Sequence, residues 1–159
     1  MALHTAPACK ANRPAMEARG PGQLVVVPFK HTMTAAFATG ELLRLCILPR
    51  QHVPIDLVID WPDMDTGATL NYDIGLYARG TNTAAGTVED VDAFIDGSTT
   101  AQAVGRERVG AALQAALAAV ITPSDLDREV VVLANTGGAG TASKAITGYL
   151  LCRAAGYDD

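Results

Sequence analysis

The chain has 159 residues, of which 49% are hydrophobic and 18% charged, and its formal net charge is −5. That length fits one domain with one core, and that composition excludes a disordered polymer. No apolar stretch reaches the ~20 residues a spanning helix needs, and an acidic chain with no long basic run excludes nucleic-acid binding as the main role.

Residues 1–22 stand apart. Pro7, Pro14, Pro21, Gly20 and Gly22 interrupt them, and they show no hydrophobic periodicity. Lys10, Arg13 and Arg19 against Glu17 make the segment locally basic, and Leu3 and Met16 are its large apolar side chains. Such a segment buries too little to fold alone. It reads as an extended N-terminal arm that orders on a neighbour, with Leu3, Lys10, Arg13, Met16 and Arg19 as candidate interface residues. Residues 23–159 then form a single domain. The start carries no apolar core of signal-peptide type, so the expectation is a protein kept in the cytoplasm where it is made, unless an assembly carries it out.

"QLVVVPF" (23–29) reads as a strand, and Pro28 assigns it to an edge or an end. "ELLRLCILP" (41–49) is a second strand with Leu43, Leu45 and Ile47 on one face. "VPIDLVIDW" (53–61) alternates strictly, with Val53, Ile55, Leu57, Ile59 and Trp61 at odd positions, so one face is buried and the other largely wet. "PDMDTG" supplies turn chemistry. "ATLNYDIGLY" (68–77) alternates again, and its Gly, Thr, Asn and Asp residues disfavour helix. These two segments read as a β-hairpin joined at Pro62–Gly67.

"VEDVDAFIDGS" reads as one short helical turn ending at Gly97. "RERVGAALQAALAAVI" (106–121) fits a helix on propensity, although its apolar spacing of four also satisfies a period of two. "VVVLA" (130–134) is a strand, and "KAITGYLLCR" (144–153) suits either state. The whole is mainly β: an antiparallel β-sandwich or jelly-roll-like domain with an extended N-terminal arm and at most one or two short helices.

The segment "VVVLANTGGAGTASKAITGYLL" tests the function. A strand leads into Gly137, Gly138 and Gly140, as in a dinucleotide-binding turn. Only the first half of G-x-G-x-x-G is matched, and the chain ends too soon for a following strand. The better reading is a nine-residue loop, Asn135 to Ser143, between antiparallel strands, with glycines supplying positive φ. Cys9, Cys46 and Cys152 lack zinc spacing and read as free thiols. Asp60, Asp63 and Asp65 share one turn region, while Glu89, Asp90, Asp92 and Asp96 share another. Asp63, Asp65, Asp92 and Asp96 are the calcium candidates, against a leading reading of solvated turn residues. His4, His31 and His52 have no Ser or Cys tied to them locally, so no catalytic residue and no cofactor is assigned.

Across residues 40–100 the alternating strand, the Asp-x-Asp-Thr-Gly turn, "TLNYDIGL" and the acidic "DVDAFIDG" resemble small virion proteins of tailed bacteriophages. The resemblance implies a β-rich, non-enzymatic protein that packs into symmetric shells. In that picture 106–121 is strand rather than helix, and Thr141 to Arg153 holds the last strand. It also implies a capsid decoration (cement) role on the virion surface. The partners would be the major capsid protein or other virion subunits, assembly would occur in host cytoplasm, and the oligomer would be a homotrimer. Neither nucleic acid nor membrane is an expected partner. The alternatives are a head–tail connector, a tail or fibre-associated virion protein, or a carbohydrate- or ligand-binding β-sandwich.

Overall fold

A computed structural model describes residues 3–5, 23–81, 84–109, 121–138 and 143–155. The strands are β1 (Leu3–Thr5), β2 (Leu24–Thr32), β3 (Leu42–Leu48), β4 (His52–Trp61), β5 (Asn71–Ala78), β6 (Val88–Ser98), β7 (Gly105–Val109), β8 (Arg128–Thr136) and β9 (Ala145–Ala154). A 3-10 turn spans Thr100–Gln102. Two sheets face each other, a five-stranded one in the order β1-β3-β8-β5-β6 and a four-stranded one in the order β2-β9-β4-β7. This is the expected β-sandwich. All pairs are antiparallel except β1 with β3, which is parallel.

The core lies between the sheets. Leu43, Leu45, Cys46 and Leu48 of β3, Tyr72, Ile74 and Leu76 of β5, and Val130, Val132 and Ala134 of β8 enter it from one side. Val25, Val27 and Phe29 of β2, Leu57, Ile59 and Trp61 of β4, and Ile146, Leu150 and Cys152 of β9 enter it from the other. Mutual burial of these alternating faces is what holds two half-apolar sheets together.

Several expectations need correction. The two alternating segments 53–61 and 68–77 do not form a hairpin: β4 lies in the four-stranded sheet and β5 in the five-stranded one. The connection is an arch that crosses the sandwich, because each segment buries its apolar face against the other rather than beside it. Residues 88–98 are strand β6, not a helical turn. Residues 105–109 are strand β7, which overturns the helix reading for 106–109; residues 110–120 lie outside the described part. In β7, pairing with β4 outweighs local propensity, since Arg106 and Arg108 stand opposite Asp60 and Val58.

Two faces also shift frame. The β3–β8 register breaks between Arg44 and Cys46, and the β4–β9 register breaks between Pro54 and Asp56. An extra residue in a strand reverses which parity points inward. Cys46 and Leu48 therefore enter the core while Ile47 does not, and Val53 is excluded while Leu57, Ile59 and Trp61 are included. The face of β4 expected to be wet holds buried Asp56 and Val58.

The loop after β8 joins the two sheets, with β8 and β9 as the flanking strands. Positive φ falls on Ser143, not on Gly137 or Gly138. Those glycines serve close approach instead. A Cβ on Gly137 would lie 2.5 Å from the Thr39 nitrogen, and one on Gly138 would lie 3.0 Å from Asp65 Cβ.

Candidate docking surface

The described residues hold no group of three or more His, Cys, Asp or Glu side chains arranged for a metal ion. Asp65 is a structural acceptor. Its carboxylate takes the N–H of Gly67 at 2.8 Å and of Leu70 at 2.6 Å, together with the Thr69 N–H and hydroxyl. These bonds shape the arch between β4 and β5. Asp63 lies 3.5 Å from Lys144 Nζ, whose ammonium also donates to the Asp63 carbonyl at 2.6 Å. Asp92 and Asp96 are exposed on β6. A hydrogen bond with Asp90, assisted by repulsion between the two carboxylates, raises the Asp92 pKa.

A second well-connected acid was not singled out from the sequence. Glu107 of β7 accepts from Trp61 Nε1 at 3.1 Å, Tyr72 Oη at 2.6 Å and Ser98 Oγ at 2.5 Å. It therefore ties the four-stranded sheet to β5 and β6 of the other. Burial, then the bond to Glu107, pushes the Tyr72 phenol far above its usual range. In sequence nothing marks Glu107 within the helix-like stretch 106–121, and only the register of β7 reveals its inward direction. Its hydrogen-bond partners are neutral donors.

A second buried pair lies on the outer side of the five-stranded sheet. The Arg44 guanidinium bonds both Glu129 oxygens and donates to the Thr81 carbonyl at 2.6 Å. Both side chains are fully buried. Arg44 thereby fixes the β5–β6 loop against the sheet. Cys46 and Cys152 are buried and form no disulfide, and burial pushes the Cys152 thiol up to about 12, so it is inert near neutral pH.

Of the arm residues, Leu3 is described; Lys10, Arg13, Met16 and Arg19 lie outside the described part. Leu3 does not await a neighbour. β1 pairs with β3, and Leu3 packs against the cluster of Leu42, Tyr77 and Val131, as Ala85 and Leu133 do. His4 anchors this strand through Glu41 Oε2 at 3.1 Å and edge-on contacts with the rings of Phe37 and His31, both at 6.0 Å.

The outward face of the four-stranded sheet gathers three of the six exposed large apolar side chains of the described residues, the others being Val88, Val104 and Leu126. Leu24 is 58% exposed, Val26 49% and Tyr149 38%. Val26 stands opposite Leu151 and Pro28 opposite Tyr149, so they form one stripe along β2 and β9. Further across the sheet, Arg106 bonds Asp60 at 2.6 and 3.2 Å and Arg108 bonds Asp56 at 2.9 Å. An apolar stripe with a charged rim suits docking of a macromolecule better than a small-molecule reaction.

No protein-family model and no curated protein matches this chain. Among solved structures, a chain from the capsid of Ralstonia phage GP4 matches at 26% identity and a TM-score of 0.82. That match covers 98% of this chain and 99% of the other. The fold is that of a phage-capsid chain. A chain from the Cyanophage Pam1 capsid asymmetric unit matches at 18% identity and a TM-score of 0.59, covering 90% of this chain and 94% of that one, and shows the shared fold alone. The likeness along the whole length supports a non-enzymatic structural protein of a phage virion.

Proposed function

We propose that this chain is a capsid decoration protein, which binds the outside of an assembled phage shell and stabilises it. The observation that carries this reading is the end-to-end likeness to a chain of the Ralstonia phage GP4 capsid, at a TM-score of 0.82. The exposed stripe of Leu24, Val26 and Tyr149 adds a surface able to dock. In this reading the partners are the major capsid protein and other copies of the chain, arranged as homotrimers at three-fold positions. Residues 1–22 act as an arm that clamps the shell, assembly takes place in host cytoplasm, and the protein ends on the virion surface. Binding to the assembled state in preference to free subunits stabilises the shell by mass action.

The test is a cryo-EM map of the virion. Density for this sandwich repeated over the outer surface at three-fold positions is the expected result. Density confined to the single portal vertex or the tail would replace the decoration role with a connector or tail role.

A further inference from the structure

Among the described strands, four end the two sheets: β1 and β6 in one, β2 and β7 in the other. A sheet edge presents unpaired N–H and C=O groups and invites a further strand unless something blocks it. β1 is three residues long. β6 carries Glu89, Asp90, Asp92 and Asp96, and its pairing with β5 breaks register at three places. β7 is five residues long and carries Arg106 and Arg108. By contrast, β2 runs for nine residues in unbroken register with β9. Its one block is Pro28.

The direction of the β2 backbone groups follows from its two ends. Ala154 N–H donates to the Gln23 carbonyl at 3.0 Å, and Met33 N–H donates to the Lys144 carbonyl at 3.0 Å. Both pairs continue the β2–β9 register. In an antiparallel pair the N–H and C=O of one residue point to the same side, and the side alternates. Odd-numbered residues therefore bond β9, while Leu24, Val26, Pro28, Lys30 and Thr32 point their backbone groups outward. Those five are also the exposed ones, and no described strand lies beside them. Pro28 sits where its missing N–H breaks no ladder bond.

We propose that the outer edge of β2, at Leu24 to Val26, takes up an extended segment of another virion polypeptide as an additional strand of the four-stranded sheet. This rests on the virion reading above. Strand addition supplies main-chain hydrogen bonds, while alternate side chains set the specificity. Here the partner places apolar side chains beside Leu24 and Val26. Neither β2 nor β9 contains an acidic residue, and Lys30 is exposed, so charge favours an uncharged or acidic segment. A second β2 is the poorer occupant. The Pro28 ring fills the place of an outward N–H and blocks a long two-fold pairing, leaving two outward residues per copy. That contact is far smaller than the roughly 1,000 Å² a stable interface needs. A segment of the shell needs no such area, because the edge is one part of a larger docking contact.

The experiment is co-sedimentation with phage heads assembled without this protein. Val26→Pro removes one outward donor and leaves the β9 ladder intact; Leu24→Lys adds a charge with no backbone change. Val104→Ser, in the exposed segment before β7 and outside the stripe and its charged rim, is the control. The expected result is binding at least about tenfold weaker for both β2 variants, with thermal midpoints near that of the parent and unchanged binding for the control. If Val26→Pro does not fold, Leu24→Lys decides alone. Parent-like binding by the β2 variants overturns the edge proposal and leaves the virion reading intact. Failure of the parent protein to bind heads overturns both. Variants that bind heads normally but dissociate a free oligomer identify a second copy as the occupant and also overturn the proposal.

Discussion

Glu107 illustrates how one side chain can join two layers. It starts on the four-stranded sheet and accepts hydrogen bonds from Tyr72 and Ser98, which belong to the other sheet. Trp61 Nε1 at 3.1 Å and Thr100 Oγ1 at 3.4 Å complete the set. Removing the acceptor leaves four buried or half-buried donors without it, and a donor left unsatisfied costs about 1–3 kcal/mol, less where a neighbouring hydroxyl or water takes its place. Glu107→Ala is therefore expected to destabilise the fold by about 2–4 kcal/mol in urea denaturation, with Glu107→Gln recovering most of the loss. A loss below about 0.5 kcal/mol for Glu107→Ala, the scale of a surface substitution, would show that solvent replaces the carboxylate. Arg44 with Glu129 is a different case. Burying that ion pair carries a desolvation penalty that offsets much of its attraction, so its visible effect is to position the β5–β6 loop through Thr81.

At the scale of elements, the arch between β4 and β5 decides the architecture. A tight turn there would have paired the two segments in one sheet. Instead the Asp65 carboxylate gathers the N–H groups of Gly67, Thr69 and Leu70, and the chain crosses to the facing sheet. Asp65→Ala is expected to cost about 2–4 kcal/mol, and Asp65→Asn about half of that because one acceptor oxygen remains. Thermal or urea unfolding of both variants checks the order; equal stability of Asp65→Ala and the parent would remove Asp65 from this role. The sequence showed where alternation occurs, which is why β2, β3, β4, β5 and β8 were legible, and Pro28 correctly marked an edge. It did not show which alternating segments pair. Sheet partners here are distant in the chain, and a hairpin and an arch share the same turn residues. The bulges at Leu45 and Ile55 were equally hidden, because one extra residue leaves the local pattern looking regular. β6 and β7 were missed because their stability comes from neighbouring strands rather than from their own propensities. The docking stripe was half legible: "LVVVP" announced an edge strand, but its exposed parity depends on the register with β9.

For the whole molecule, the described part of the arm changes how the clamp can be tested. Deleting residues 2–20 also deletes β1, which covers Leu42, Tyr77 and Val131 and is held by His4 on Glu41. Such a deletion destabilises the sandwich as well as removing the basic arm, so weaker shell binding would not distinguish the two effects. Substituting Lys10, Arg13 and Arg19 together by Ser separates them, because β1 and its anchor remain. Exposed ion pairs contribute roughly 0.2–1 kcal/mol each. Three of them in one interface amount to about a tenfold change in affinity, and more at low salt than at high salt, because the charges are screened over about 10 Å at 0.1 M. The expected outcome is a triple variant with an unaltered thermal midpoint, about tenfold weaker binding to heads, and a flatter salt dependence than the parent. Mass action then predicts that heads carrying the triple variant at limiting concentration disrupt at a lower temperature than heads carrying the parent protein. Equal affinity and equal salt dependence for the two proteins would show that the basic residues of the arm take no part in holding the shell, and would leave the sandwich itself as the docking element.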